Sequence, residues 1–459
     1  MFAERSYPIR IVRLRKERIY RESELQEVIF SYDTDEALII PNVGVRVLEL
    51  CDGKHTVEQI SKRIAKEYNI SSKQAFEDTK EFLNSCINQN IIRLSDREGT
   101  SHKLIDIGIS IPSLRFKKAI PGAPLSLFWE ITYGCNLHCV HCYLNAGSFG
   151  GDELTTKVCK RIIDEAEELG IFRIVFGGGE PFMRTDFTEI LSYALEKDIN
   201  CAVATNGLLL REETMRMISQ YRNIALQISL DGADATTHDW IRGRKGAFDG
   251  ALKALKLALD YDINVGVGTV VMKPNFHELE KIANLVNKLG IKTWNIMLLI
   301  PIGRATKKLM ITPNEYIELT KRIKSIKEKY PTLRIPYTEL LKFTLTDANV
   351  KNVHEEFQFK GFYGCAAGYL SIGMSPDGYI RPCSYFPPSI SRSNISQSSL
   401  RDIWIQDPLL NFFRDLRTIK GKCAECPRFG TSCGGGCRAA AYAFYGDLLM
   451  PDPYCPLAR

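Results

Sequence analysis

From residue 125 onward, short apolar runs alternate with segments whose apolar positions recur at helical spacing. The pattern predicts strands at 127–132, 172–176, 201–205, 225–230, 265–271 and 294–300, with helices at 153–169 and 187–196 and a helical stretch after each later strand. Six strand–helix units in a row imply a parallel sheet, either an open barrel or a doubly wound sheet. Upstream, residues 26–95 read as a strand pair (27–32 and 37–40), three helices and a closing strand (90–94). Gly53 turns the chain after the first of these helices, and Thr56 with Gln59 three residues later reads as a capping box opening a helix over 57–68. Residues 96–124, with Pro112, Pro121, Gly122 and Pro124, read as a linker, and 125–330 as the strand–helix domain. After Pro331 the rhythm is lost. Residues 331–459 form a bridging region followed by a Cys-, Gly- and Pro-rich stretch, the composition of a small domain organised around metal rather than a large apolar core.

Composition narrows the function classes. A formal charge of +6 over 459 residues indicates neither nucleic acid nor membrane binding. Seven basic residues among the first 22 (Arg5, Arg10, Arg13, Arg15, Lys16, Arg18, Arg21) read as a solvated basic arm or edge strand. With no signal-peptide core and no apolar stretch of membrane-spanning length, the chain is expected in the cytoplasm. The cytosol keeps thiols reduced, so 14 cysteines there point to metal or redox chemistry rather than disulfides. Cys51, Cys86, Cys159 and Cys201 stand alone in apolar patterns and read as small buried hydrophobes. The other ten fall at 135–142 and 365–455.

The loop after the first barrel strand reads Cys135-Asn136-Leu137-His138-Cys139-Val140-His141-Cys142-Tyr143. At this cysteine frequency chance would place such a C-x3-C-x2-C triplet only about 0.01 times in the chain. Three thiolates on one tight loop can ligate three irons of a [4Fe-4S] cluster and leave the fourth open, whereas a closed zinc site would have to recruit His138 or His141. The next strands end in Gly177-Gly178-Gly179-Glu180-Pro181, Thr205-Asn206-Gly207 and Ser229-Leu230-Asp231-Gly232. In a parallel barrel all of these loops share the carboxyl-end face, where ligands bind.

This constellation resembles the radical S-adenosylmethionine superfamily over residues 125–310. The resemblance implies that Cys135, Cys139 and Cys142 bind the cluster, that Tyr143 matches an aromatic position, and that S-adenosylmethionine chelates the open iron. It also implies that Gly178, Gly179, Glu180 and Pro181 receive the methionine amine, Ser229 and Asp231 the ribose, and Arg242 the methionine carboxylate. Downstream, Cys365-x12-Gly378-x4-Cys383, then Cys423-x2-Cys426-x6-Cys433-x3-Cys437 and Cys455, resembles the auxiliary-cluster domain called SPASM, with x6 where that pattern has x5. By that resemblance Cys423, Cys426, Cys433 and Cys455 hold one [4Fe-4S] cluster, and Cys365, Cys383 and Cys437 another with one iron lacking a cysteine.

Residues 26–95, with Asn42-Val43-Gly44, Asp52-Gly53, Thr56 to Ile60 and Asn90-Ile91-Ile92, resemble the peptide-recognition domain related to the pyrroloquinoline quinone peptide chaperone. Such domains bind a leader peptide as an added strand. The same pattern fits a DNA-binding winged helix, but Glu58, Glu67, Glu77, Asp78 and Glu81 make a poor phosphate-facing surface. Together the resemblances imply an α/β chain: a partial (β/α)6 TIM-type barrel, a winged-helix-like recognition domain over 1–95, and a C-terminal iron-sulfur domain. The implied enzyme uses three [4Fe-4S] clusters, S-adenosylmethionine and an electron donor such as flavodoxin or ferredoxin. Its expected action is on a ribosomally made peptide, by thioether cross-linking. The alternatives are a carbon-carbon cross-link, sulfatase maturation and tetrapyrrole modification.

Overall fold

The computed structural model describes residues 2–5, 9–13, 26–30, 37–88, 92–95, 104–107, 122–147, 152–197, 199–336, 365–414, 416, 418–429 and 433–458. The basic positions Arg15, Lys16, Arg18 and Arg21, the linker prolines Pro112 and Pro121, and the bridging stretch 337–364 lie outside them. The chain divides into two compact units, Met1–Ala123 with Glu168–Phe172, and Pro124–Glu167 with Arg173–Arg459.

In the first unit, β1 (Phe2–Arg5), β5 (Asp52–Thr56) and β6 (Ile92–Ser95) form one sheet with β1 in the middle. A second sheet has the order β4 (Ala37–Pro41), β3 (Gln26–Phe30), β2 (Ile9–Arg13), β7 (Leu104–Ile107). Helices α1 (Asn42–Leu50), α2 (Val57–Tyr68) and α3 (Ser72–Asn88) accompany them. The expected capping box is present: Gln59 N–H donates to Thr56 Oγ1 at 3.3 Å and Thr56 N–H to Gln59 Oε1 at 2.8 Å. Asn69, at φ 50°, closes the same helix. The α2 face Ile60, Ile64 and Ala65 packs with Val45, Leu48, Leu83, Cys51 and Cys86 into one core, so both lone cysteines here are packing residues. Burial pushes the Cys86 thiol up to about 12. Two strands differ from the sequence reading. Asp52–Thr56, read as a turn, is too polar to show alternation and becomes a strand by pairing with β1. Leu104–Ile107 lies within the stretch read as linker, yet runs parallel to Ile9–Arg13.

The second unit carries β8 (Ser126–Thr132), β9 (Arg173–Gly178), β10 (Asn200–Thr205), β11 (Ile224–Ser229), β12 (Asn264–Val271) and β13 (Thr293–Leu298), all parallel and adjacent in chain order. Helices α4 (Thr156–Glu168), α5 (Phe187–Glu196), α6 (Glu212–Ile218), α7 (Ala235–Arg242), α8 (Ala247–Asp260), α9 (Leu279–Lys288) and α10 (Pro313–Lys329) alternate with or follow the strands. This is the partial α/β barrel that the alternation implies. On β8, Trp129 faces the helix layer: its ring lies 5.7 Å from Phe176, which in turn meets Phe187 of α5 at 5.5 Å. Glu130 and Thr132 therefore face the other side, toward the barrel interior. Cys159 and Cys201 are buried, as read from the sequence.

Unforeseen is the end of this sheet. β14 (Ser371–Met374) pairs parallel with β8, and β15 (Ile380–Arg381) pairs antiparallel with β14, so the cysteine-rich region extends the barrel sheet itself. Strands of four and two residues carry too little periodicity to be read beforehand. Among the described residues no helix is long and apolar enough to cross a membrane.

Candidate active site

The first cysteine loop leaves the carboxyl end of β8 and is held from two sides. His138 N–H donates to Arg242 O at 3.3 Å and Val140 N–H to Ile241 O at 2.9 Å, at the end of α7. From the loop after β13, Arg304 N–H donates to Cys142 O at 2.9 Å, while its guanidinium donates to Cys139 O at 2.9 Å and Ala146 O at 2.6 Å. Both clamps need glycine. A Cβ on Gly243 (φ +68°) would sit 2.4 Å from His138 O, and one on Gly303 (φ +67°) 2.4 Å from Cys142 O. The loop is thus shaped by backbone contacts, leaving Cys135, Cys139 and Cys142 as free thiols. Burial pushes Cys135 up to about 11, and it also raises Cys139, against the pull of Arg242. Such thiols stay protonated at neutral pH until a metal displaces the proton.

The remaining motifs converge on this loop. Gly179 N–H donates to Thr132 O and Glu180 N–H to Gly134 O, each at 2.8 Å. A Cβ on Gly179 would lie 2.1 Å from Gly134 O, so this glycine serves the close approach of two protein backbones. Glu180 is fully buried, and its carboxylate accepts from Thr205 Oγ1 at 2.7 Å, Asn206 N–H at 2.8 Å and Phe182 N–H at 3.3 Å. Burial still pushes it up to about 7. Both oxygens are engaged within the protein, capping the short turn Pro181–Met183 and tying the β9 and β10 loops together. Asn206 Nδ2 then reaches Asn136 Oδ1 at 2.7 Å, in the cysteine loop itself.

Asp231, fully buried, accepts from Val270 N–H at 2.8 Å and pairs with the Arg242 guanidinium at 2.5 Å. Arg242 Nη1 also lies 3.8 Å from Cys139 Sγ. Arg242 and Asp231, expected as separate ligand contacts, are therefore partners of one another. That ion pair holds Asp231 below the usual carboxylate range despite its burial. His141, weighed from the sequence only as a ligand for a zinc site, stands 3.8 Å from Asp231 and is pushed down to about 4 by burial, so it is neutral. Its only sequence signal was its place between two cysteines. Tyr143 turns toward Tyr385, with ring centroids 5.1 Å apart. Ser229 ends β11, partly buried.

Three nitrogens around the loop fit a bound ligand: His141 Nδ1, Arg242 Nε and Asn136 Nδ2 are buried without a hydrogen-bond partner. Buried polar groups in folded proteins are almost always paired, so these mark where a polar cofactor completes the site.

In the C-terminal region the Cys423 thiol has Cys455, Cys433, Cys426 and the Arg438 guanidinium as electrostatic neighbours, and burial pushes it up to about 11. Cys383 and Cys437 share a separate apolar cluster with Ile300 and Phe386. Asp452 links the two groups: its carboxylate accepts from Cys437 N–H at 2.6 Å and Tyr454 N–H at 2.9 Å, one residue before Cys455. Cys365 Sγ accepts from Ala367 N–H at 3.5 Å. Among the described residues no three Cys, His, Asp or Glu side chains converge closely enough to hold a single metal ion.

The Radical SAM superfamily model matches residues 129–301, the Coenzyme PQQ synthesis protein D model residues 27–92, and the SPASM iron-sulfur cluster-binding domain residues 365–427. An AdoMet-dependent heme synthase of Methanosarcina barkeri is 32% identical over 345 residues, 73% of this chain and 97% of that one. The antilisterial bacteriocin subtilosin biosynthesis protein AlbA of Bacillus subtilis is 30% identical over 395 residues, 84% of this chain and 79% of that one. In fold, the chain is similar to Streptococcus suis SuiB crystallised with S-adenosylmethionine, with a TM-score of 0.68 at 18% identity, covering 96% of this chain and 100% of that one. The chain therefore belongs to the radical S-adenosylmethionine superfamily, as an enzyme whose cofactors are S-adenosylmethionine and three [4Fe-4S] clusters, one in the barrel and two in its SPASM domain.

Proposed function

We propose that this chain modifies a ribosomally made precursor peptide in the cytoplasm, forming a sulfur-to-carbon cross-link. The observation that carries this reading is the module matched at residues 27–92, in the same chain as the barrel and the SPASM domain. A module of this kind captures an extended leader by strand addition and delivers the rest of the peptide at high effective concentration. The relative AlbA is named for bacteriocin biosynthesis, and SuiB has also been crystallised with its precursor peptide SuiA. The heme synthase relative favours a second reading, a tetrapyrrole substrate, but its match covers only 73% of this chain.

When bound and reduced, the barrel cluster supplies the electron that splits S-adenosylmethionine into methionine and a 5'-deoxyadenosyl radical, which takes hydrogen from a C–H bond. A flavodoxin or ferredoxin supplies that electron. Cys135, Cys139 and Cys142 would hold this cluster. The Gly178-Gly179 backbone, Ser229, Arg242 and Tyr143 would contact the cofactor, while Glu180 and Asp231, each engaged inside the protein, would position the loops that bind it. Cys423, Cys426, Cys433 and Cys455 would hold one auxiliary cluster. Cys365, Cys383 and Cys437 would hold the other; one cysteine short of four, it would be available to a substrate thiolate and would take up the electron released when that thiolate adds to the carbon radical.

Removing residues 1–123, the N-terminal part of the first compact unit, should leave deoxyadenosine formation intact and slow peptide modification by about 100-fold through loss of tethering. Assays of both products on one preparation check this. Native-rate modification by the truncated enzyme would show that the recognition role is wrong.

A further inference from the structure

Arg438 opens the helix Arg438–Tyr445 and is only 3% exposed. Its guanidinium donates to the carbonyls of Leu448 at 2.9 Å, Met450 at 2.8 Å, Gly436 at 3.4 Å, and Gly435. Among the described residues, then, every hydrogen bond of this buried cation goes to a neutral oxygen. A buried charge without a counter-charge is costly, so something anionic must compensate it. The Asp452 carboxylate accepts from the N–H groups of Cys437 and Tyr454. Gly435, whose carbonyl accepts from Arg438, donates its own N–H to Cys433 Sγ at 3.3 Å, which brings the guanidinium beside the thiol set of Cys423, Cys426, Cys433 and Cys455.

We propose that Arg438 is the counter-charge of the auxiliary cluster held by Cys423, Cys426, Cys433 and Cys455, and that it raises that cluster's reduction potential. A [4Fe-4S] core with four thiolates is anionic, and reduction adds one more negative charge. A guanidinium fixed beside it in a low-dielectric surround stabilises the reduced form more than the oxidised form. Arg438 is a positioning residue here. It touches no substrate, and its five-donor fork also holds the segments 435–436 and 448–450 together.

The inference rests on the cluster assignment above, and iron content separates the two: wild-type protein lacking auxiliary-cluster iron overturns the assignment, not the role of Arg438 alone. The test is a redox titration followed by EPR on anaerobically reconstituted full-length Arg438→Gln and Arg438→Lys. Arg438→Gln should keep its iron and show a lower auxiliary-cluster potential, while Arg438→Lys, which retains charge but loses the fork, should stay near the wild-type value. Should Arg438→Gln fail to assemble, Arg438→Lys decides alone, since a lowered potential there overturns the charge argument. An unchanged potential in iron-replete Arg438→Gln, or loss of iron from both variants, likewise overturns it.

Discussion

Changing Cys135, Cys139 and Cys142 together to Ala lowers 5'-deoxyadenosine formation by on the order of 10³-fold or more, to background, because S-adenosylmethionine cleavage has no other electron donor within the barrel. The variant should still fold. The loop is shaped by contacts to its main chain from Arg242, Ile241 and Arg304, and the ties to its thiols are long: Arg242 Nη1 to Cys139 Sγ at 3.8 Å and Ala146 N–H to Cys142 Sγ at 3.4 Å. The iron content should fall by one cluster of the three, with the auxiliary clusters retained. Chromatographic measurement of deoxyadenosine, with dithionite as reductant, decides the matter. Unchanged formation would remove the catalytic assignment of this loop.

Replacing Glu130 by Ala should destabilise the fold by about 3–5 kcal/mol, because it leaves the buried Arg381 guanidinium without its carboxylate. Arg381 keeps its bonds to the carbonyls of Phe386 at 2.5 Å and Ser384 at 3.3 Å, which carry no compensating charge. The pair joins the middle of β8 to β15, two residues before Cys383, so thermal unfolding and auxiliary iron content should both fall. For a fold of this size the cost corresponds to a Tm drop of roughly 3–5 °C. A Glu130→Met, Arg381→Met double variant should recover much of it. Burial pushes the Glu130 carboxyl up to about 7, against the opposing pull of the Arg381 guanidinium.

The barrel strands were legible because each is a short apolar run bounded by turn residues and followed by a helical period, and the α2 cap because Thr56 and Gln59 carry their own hydrogen-bonding logic. The ten clustered cysteines and the loop motifs were legible as chemistry, since their spacing lies within single loops. What sequence reading missed is long-range or conformational. Glu130 and Arg381 are 251 positions apart, and nothing local marks either as half of a pair. Arg304 clamps the cysteine loop from the far end of the barrel. Gly243 and Gly303 matter through a positive φ and a nearby carbonyl, neither of which a residue type discloses. Glu180 and Arg242 were each read within one short motif, whereas their contacts to Thr205, Asn206 and Asp231 join loops that lie far apart in the sequence.

The most direct measurement of the central claim is mass spectrometry of a Cys-containing precursor peptide, drawn from a short reading frame beside this gene, after anaerobic incubation with the reconstituted enzyme, S-adenosylmethionine and reductant. The account predicts a product lighter by two hydrogen atoms, with its former thiol no longer alkylatable and deoxyadenosine formed in step with it. An unmodified peptide, alongside turnover of a tetrapyrrole by the same preparation, would contradict it.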